Sequence, residues 1–283
     1  MIHLYPALKK NLRNLLILLL VCVAAYTLFL PGVTPAAALI IYLLGALLVL
    51  FSQASMASKV HAKQLELLYS KLEIEEFLKG YEPHLKLALK NQNLYLTVRM
   101  HIANAYCAQG RFDEAIAMLS SLSVAPSKKP EEALLTRFGL TSNLCYCYAL
   151  KEDAEGMKPV LDELISLRKE LEALQERKPK KKRRAFSTRF NEMCYELLTT
   201  GKADVAELKG WVMGNNQQLL RAQAALWVAR AAVAAGDLKD AEDVLRQIIK
   251  VSPSIYPGKV AARMLSKLSN DKQLAKKQPS GQD

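Results

Sequence analysis

The 283-residue sequence predicts an all-α protein in which two membrane-spanning helices precede a larger array of short helices. Two observations support this prediction. Between Arg13 and Lys59 the chain runs for 45 residues without a charge, which is far more apolar than the surface of a soluble domain. From Ser58 onward the apolar residues recur at helical spacing, and no segment keeps the alternating pattern of a strand.

The uncharged stretch contains two apolar segments of sixteen residues each, at 15–30 and 36–51. Uncharged neighbours extend both segments towards the ~20 residues that a membrane-spanning helix needs. Between them, the sequence Pro31-Gly32-Val33-Thr34-Pro35 interrupts helical hydrogen bonding and permits a reversal of the chain. The sequence therefore predicts a transmembrane hairpin, with a buried soluble hairpin or a re-entrant loop as the alternatives.

The charges beside the hairpin predict its orientation. The connection between the two segments is uncharged, whereas basic residues flank both outer ends: Lys9, Lys10, Arg13, Lys59 and Lys63. Because basic flanks stay on the cytoplasmic side of a membrane, both termini are expected in the cytoplasm. The membrane is expected to be the inner or plasma membrane of the cell. We expect an anchor at 1–57, a cytoplasmic helical domain at 58–269 and a disordered tail at 270–283. In this reducing compartment the cysteines are expected to stay free and to pack as small hydrophobic residues.

The helices predicted after the hairpin lie near 58–79, 82–91, 94–109, 112–123, 131–150, 157–177, 186–199, 203–213, 217–235, 238–251 and 257–268. Short links between them make neighbouring helices antiparallel. Such helix pairs are typical of repeat proteins.

The clearest repeat pattern lies at 222–255. Ala229 and Ala241 are small residues at positions where paired helices pack closely, Gly236 permits the tight turn, and Pro253 ends the second helix. This segment resembles a tetratricopeptide repeat (TPR). A second copy contains Ile102-Ala103-Asn104-Ala105-Tyr106, Gly110-Arg111-Phe112, Ala115 and Leu119, although Pro126 closes it one residue early. The segments 144–164 and 193–212 keep the helix-turn-helix rhythm with few of the motif residues.

The resemblance implies a TPR-like helical solenoid whose first helices line a concave groove for protein partners. The polar residues on or near this groove are the partner-binding candidates: Arg99, Asn104, Gln223 and Arg230. The clamp that some TPR domains use for acidic chain ends is not supported, because Met100 and Trp227 occupy the places of its basic residues. An unrelated helical bundle is the alternative to the repeat fold.

The basic run RKPKKKRR at 177–184 is predicted to be a loop, because Pro179 and like-charge repulsion oppose a continuing helix. It is either a solvated loop, a contact for anionic lipid, or a site for nucleic acid or an acidic protein. The contact candidates are Lys180, Lys181, Lys182, Arg183 and Arg184. Nucleic acid is the weaker prediction, because the positive excess is confined to this run and the membrane flanks.

The sequence offers no recognisable catalytic chemistry. The four histidines have no metal-binding spacing, and neither Gly201-Lys202 nor Gly258-Lys259 has the earlier glycine of a phosphate-binding loop. No catalytic, metal or cofactor site is expected. The sequence, which is bacterial in style, predicts a non-enzymatic, membrane-anchored scaffold or adaptor that binds a protein partner, with assembly or quality control of membrane complexes as the leading role. The alternative is binding of anionic lipid or nucleic acid through 177–184.

Overall fold

The computed structural model describes residues 4–29, 32, 34–89, 92–124, 130–174 and 178–277. Every regular element in these ranges is a helix, which confirms the all-α prediction. The elements are α1 (Pro6–Phe29), α2 (Pro35–Glu66), a π-helical turn (Leu67–Lys71), α3 (Ile74–Tyr81), α4 (His84–Ala88), α5 (Gln92–Gln109), α6 (Phe112–Ser120), α7 (Pro130–Lys151), α8 (Ala154–Ala173), α9 (Lys178–Thr200), α10 (Val205–Met213), α11 (Gln218–Ala234), α12 (Leu238–Val251) and α13 (Tyr256–Lys277).

Helices α1 and α2 form an antiparallel pair. Thr34 caps the start of α2, because its Oγ1 accepts a hydrogen bond from the Ala37 N–H at 3.2 Å, and Pro35 follows in the first turn, where no donor is required. The two helices approach closely at Gly45, where an added Cβ atom would lie 2.8 Å from the side chain of Leu19. The expected break between two apolar helical segments is confirmed.

Helix α2 continues well past its apolar segment. It runs to Glu66 and passes directly into the π-helical turn, after which Leu72 adopts a left-handed φ of 61°. A separate helix at 58–79 was expected from the apolar pattern, but no glycine or proline between Gly45 and Gly80 interrupts the chain. The predicted boundary between anchor and domain at residue 57 therefore falls inside one helix.

Four helix pairs, α5–α6, α7–α8, α9–α10 and α11–α12, have the same kind of turn. In each pair a single residue with φ between 64° and 84° follows the first helix, namely Gly110, Glu152, Gly201 and Gly236. In three pairs the next N–H donates back to a carbonyl of the first helix: Arg111 to Tyr106, Asp153 to Tyr148 and Asp237 to Ala232. The recurring turn agrees with the helix-turn-helix rhythm of the sequence.

Helix α11 is buried along its length, at the meeting point of three apolar clusters. Leu219 packs with residues of α2 to α5, Trp227 packs with residues of α7 to α9, and Leu226 packs against α12 and α13. Its alanines remove bulk, so that several helices approach it closely. Helix α11 is thus an internal helix, whereas a first helix of an open repeat array exposes one face to the groove.

The start of the last helix, α13, packs against the pair α5–α6 and the end of α7. The Tyr256 ring packs edge-on against Phe112 with centroids 4.7 Å apart, and its hydroxyl donates a hydrogen bond to the Leu150 carbonyl at 3.3 Å. Ile255 enters the same apolar cluster as Ile74 of α3. The helical domain therefore closes on itself.

Two sequence-based predictions about loops need correction. The basic run is not a loop, because α9 begins at Lys178 and includes residues 178–184; Arg177 lies outside the described residues. Pro179 is compatible with this helix because it lies in the first turn, where its missing N–H has no helical partner. The predicted tail begins too early, since α13 extends to Lys277 and no glycine or proline interrupts 259–277. The tail residues 278–283 lie outside the described residues.

Candidate functional site

The four predicted partner-binding residues do not form one site. Arg99 and Asn104 lie on α5, where other side chains already bind them. Arg99 donates hydrogen bonds to the Tyr95 hydroxyl at 2.9 Å and the Ser121 hydroxyl at 3.0 Å, and Asn104 donates to the Tyr69 hydroxyl at 3.0 Å. Both residues therefore stabilise the domain internally.

The other two predicted residues lie on the internal helix α11. Gln223 is 2% exposed, so it does not present its amide on a groove surface. Arg230 forms an ion pair with Glu152, and its guanidinium lies 4.8 Å from the ring centroid of Trp227. This ion pair connects α11 to the turn between α7 and α8. The repeat motif identified these residues by position, but α11 buries Gln223 and holds Arg230 in contacts within the domain.

The described structure has a groove elsewhere, along one face of α7. Two adjoining cavities, of about 410 Å³ and 340 Å³, share Leu135 and Gly139 of α7 as lining residues. We call them together the α7 groove. Its walls come from α5 on one side and α9 on the other. The lining residues are Leu96, Thr97, Met100, Glu132, Leu135, Thr136, Phe138, Gly139, Ser142, Asn143, Arg184 and Ser187.

The α7 groove combines apolar and uncharged polar groups with two charged residues, Glu132 and Arg184. Ser142 and Ser187 hydrogen-bond to each other at 2.9 Å, and Asn143 donates to the Gly139 carbonyl at 2.7 Å. The floor of the groove is open at Gly139, since a Cβ atom added there would meet nothing within 4 Å. A surface of this kind suits a segment of protein that brings apolar side chains and backbone amides.

Of the predicted lipid-contact residues, Arg184 is the one whose side chain is described. It is 6% exposed and lines the α7 groove. The side chains of Lys180, Lys181, Lys182 and Arg183 lie outside the description. Arg184 is consequently positioned as a wall of the groove, with little surface for a lipid or a polyanion.

A second polar assembly joins the hairpin to the helical domain, and we call it the junction cluster. It contains three of the four histidines of the chain, His61 of α2, His84 of α4 and His101 of α5. Three tyrosines surround them: Tyr5, Tyr69 and Tyr81. The ring centroids of His61 and His101 are 6.3 Å apart, and Tyr81 lies within 6 Å of each of the three imidazoles.

Hydrogen bonds in the junction cluster link residues from distant parts of the chain. The Tyr5 hydroxyl lies 3.2 Å from His61 Nδ1 and donates to Gln64 Oε1 at 3.3 Å. Gln64 also contacts His84 Nε2 at 3.0 Å. In a second chain of contacts, the Tyr69 hydroxyl lies 2.8 Å from His101 Nδ1. The two contacts of Tyr5 tie the residue just before α1 to the far end of α2.

The junction cluster is electrostatically unusual because its imidazoles are buried without a compensating anion. Burial lowers the pKa of His61, His84 and His101, to about 4 for His101, and the neighbouring imidazoles lower it further for His61 and His101. Burial also raises the pKa of Tyr5 and of Tyr69 to about 12. Within the described residues, no carboxylate contributes to the pKa shifts of the three histidines. The cluster is therefore neutral at pH 7.

Sequence patterns gave no indication of the junction cluster. Its members come from five helical elements and the residue before α1, so their spacing in the sequence follows no motif. His61 and His84 lie near charged residues in the sequence, yet both side chains are buried. Continuity of α2 through residue 57 is what brings His61 into the domain.

Within the described part of the chain, no three His, Cys, Asp or Glu side chains are grouped so that they could hold a metal ion. Comparison of the chain with models of protein families, with curated proteins and with solved structures finds no match.

Proposed function

We propose that the chain is a non-enzymatic, membrane-anchored scaffold whose TPR-like helix pairs bind a protein partner at the cytoplasmic face of the inner or plasma membrane. The observation that carries the proposal is the α7 groove. It is an open surface between the first helices of three successive pairs, α5, α7 and α9, and apolar residues and hydrogen-bonding groups, most of them uncharged, line it. The role proposed for this tethered groove is the assembly or quality control of membrane complexes.

The proposed membrane anchor rests on exposed apolar surface. Among the described residues, one helix, Pro35–Lys71, is long and apolar enough to cross a membrane, and its most apolar window is not buried within the structure. We propose α1 as the second span, because it pairs with α2 and its large apolar side chains are also exposed. These side chains include Leu15, Ile17, Leu18, Leu20 and Val21 on α1 and Leu39, Ile40, Leu43, Leu44, Leu47, Leu48 and Phe51 on α2.

The proposed TPR-like organisation is supported by the recurring turn. Four helix pairs change direction through one left-handed residue, and Ala115 and Ala241 of the two best sequence copies are fully buried. In the proposed arrangement the pairs from α5 to α10 supply the binding surface. The pair α11–α12, with α13, closes the domain.

The groove can be tested by filling it. In the full-length protein in mild detergent, Gly139→Leu is expected to remove partners that are recovered with the wild type and identified by quantitative mass spectrometry. Gly210→Leu on α10 is the matched control, since that position is also helical with nothing within 4 Å of an added Cβ atom. If both variants recovered the same partners as the wild type, the α7 groove would not be the binding site.

The basic run provides the alternative, binding of anionic lipid or nucleic acid. Substituting glutamine at Lys180, Lys181, Lys182 and Arg183 tests it, with Arg184 kept because it lines the groove. Under the scaffold proposal this variant recovers the same protein partners, including at high salt. Loss of those partners, together with a steep salt dependence, would instead assign the function to the basic run.

A further inference from the structure

Two buried cysteines lie side by side between the first two helix pairs. The Sγ atoms of Cys107 on α5 and Cys147 on α7 are 3.2 Å apart, and both residues are at most 2% exposed. A disulfide bond needs an S–S distance of about 2.05 Å, so the sulfurs have to approach by roughly 1 Å. The helices that carry them are packed against each other, which keeps the two sulfurs in register.

The pairing is specific to one face of α7. Cys145 lies only two residues before Cys147, but it enters a different apolar cluster, together with Cys194. Cys107 and Cys147 instead share a cluster with Ala103 and Leu119. The protein therefore contains a matched internal control, a second buried cysteine on the same helix that is directed away from Cys107.

The local environment makes these thiols slow to react in the folded protein. The contact with Cys147 and burial among apolar side chains together raise the pKa of Cys107, so little thiolate is present at pH 7. A small oxidant also has no open path to a residue that is 2% exposed. Oxidation is thus expected during folding or during local opening of the α5–α7 contact.

We propose that Cys107 and Cys147 form a redox site, which oxidised low-molecular-weight disulfides such as oxidised glutathione convert to an intramolecular disulfide. In the first step one cysteine thiolate attacks the glutathione disulfide, forming a mixed disulfide and releasing one glutathione thiolate. The second cysteine thiolate then attacks the protein sulfur of the mixed disulfide and releases the other glutathione thiolate. The two thiol protons pass to the released thiolates, so two electrons leave the protein and two molecules of reduced glutathione result.

The disulfide would fix the distance between the two helices that form one wall and the floor of the α7 groove. Leu96 and Thr97 of α5 line the same cavity as Leu135 and Gly139 of α7. The redox site does not depend on the proposed scaffold function, because it follows from the position of the two sulfurs alone.

The test uses the full-length protein in mild detergent, treated with oxidised glutathione in two ways. One sample stays folded, and the other is unfolded in urea and refolded in a glutathione redox buffer, which overcomes slow access to the buried pair. Remaining thiols are alkylated under denaturing conditions, and peptides are analysed without reduction. The wild type is expected to give two peptides joined by a Cys107–Cys147 disulfide, with neither thiol left to alkylate. Reduction is expected to restore both thiols.

Variants make the test decisive. Cys145→Ser is expected to form the same link as the wild type, whereas Cys107→Ser and Cys147→Ser are expected to lose it. The exposed Cys22 is expected to give at most a mixed disulfide with glutathione. If Cys107 and Cys147 were alkylated in full after both treatments, or if either paired mainly with Cys145 or Cys194, the proposed redox site would be overturned.

Discussion

The junction histidines illustrate how a few residues couple two parts of a protein. His61 belongs to the helix that continues from the hairpin, whereas His84 and His101 belong to the helical domain. Each imidazole contacts an uncharged partner, a tyrosine hydroxyl or the Gln64 amide. Protonation would place positive charges close together in a buried site, so the folded state requires all three rings to be neutral.

This requirement predicts a loss of stability in mild acid. The pKa of His101 is lowered to about 4 from an ordinary value near 6.5, so the unfolded state binds protons first as pH falls. His101 therefore stabilises the fold fully above pH ~6.5, and its contribution declines as pH falls to about 4, a loss of up to about 3 kcal/mol. The lowered pKa values of His61 and His84 add in the same direction. Thermal midpoints of the detergent-solubilised protein at pH 7.5, 6 and 5 measure the effect.

The contribution of His101 is isolated by His101→Asn, which retains a hydrogen-bonding group near the Tyr69 hydroxyl but does not titrate. Its thermal midpoint is expected to fall less between pH 7.5 and 5 than that of the wild type. An identical fall in both proteins would mean that the pKa of His101 is the same in the folded and unfolded states, in contradiction to the lowered pKa of the buried ring.

At the scale of the element, the turns between paired helices are the most regular feature of the domain. Gly236 adopts a φ of 79°, and an added Cβ atom would meet nothing within 4 Å. The cost of Gly236→Ala is therefore a backbone cost alone, about 1 kcal/mol. Urea or thermal unfolding of the domain measures it.

The control for this prediction is Gly210→Ala within α10, which also has open space around the added methyl group. Because Gly210 lies inside a helix, alanine there is expected to leave stability unchanged or raise it by up to about 1 kcal/mol. Equal destabilisation by the two substitutions would show that loss of glycine itself, rather than the left-handed turn, determines the effect.

These elements also explain how far the sequence predicts the structure. Helix α12 has the predicted bounds, 238–251, because Gly236 and Pro253 mark its two ends and its apolar residues form one stripe. The start of α9 was missed because a proline beside a basic run resembles a break, although a proline in the first turn is compatible with a helix. Gln223 and Arg230 were assigned to a partner-binding surface from the TPR resemblance, and a repeat motif does not tell an internal helix from one with an open face. The junction cluster and the Cys107–Cys147 contact depend on tertiary packing and have no local signal.

For the whole molecule, the proposed hairpin predicts a definite topology. Reporters fused before Met1 and after Asp283 are both expected to report the cytoplasm, because the basic flanks lie at the outer ends of the two apolar segments. The structure adds a constraint on this arrangement, since the Tyr5 hydroxyl contacts His61 and holds the two outer ends together. Reporters on opposite sides of the membrane would contradict both the two-span proposal and the integrity of the junction cluster in the cell.

The closed arrangement of the helical domain makes a separate prediction about cooperativity. In an open repeat array, a terminal helix contacts only its neighbour, so damage at one end stays local. Here Tyr256, at the start of α13, contacts Phe112 at the start of α6 and the Leu150 carbonyl at the end of α7. The C-terminal end is therefore expected to stabilise helices that precede it by more than a hundred residues.

Tyr256→Ala tests this expectation, since it removes the ring that packs on Phe112. We expect a loss of about 2 kcal/mol for a partly buried aromatic side chain, with faster amide hydrogen exchange in α5, α6 and the end of α7 as well as in α13. Tyr256→Phe retains the ring and removes the hydroxyl, with its hydrogen bonds to the Leu150 carbonyl and to Arg230, so its loss should be smaller, about 1 kcal/mol. If Tyr256→Ala accelerated amide hydrogen exchange in α12 and α13 alone, the contact of Tyr256 with the α5–α6 pair would contribute nothing to stability. The domain would then behave as an open array, because its two ends would unfold independently.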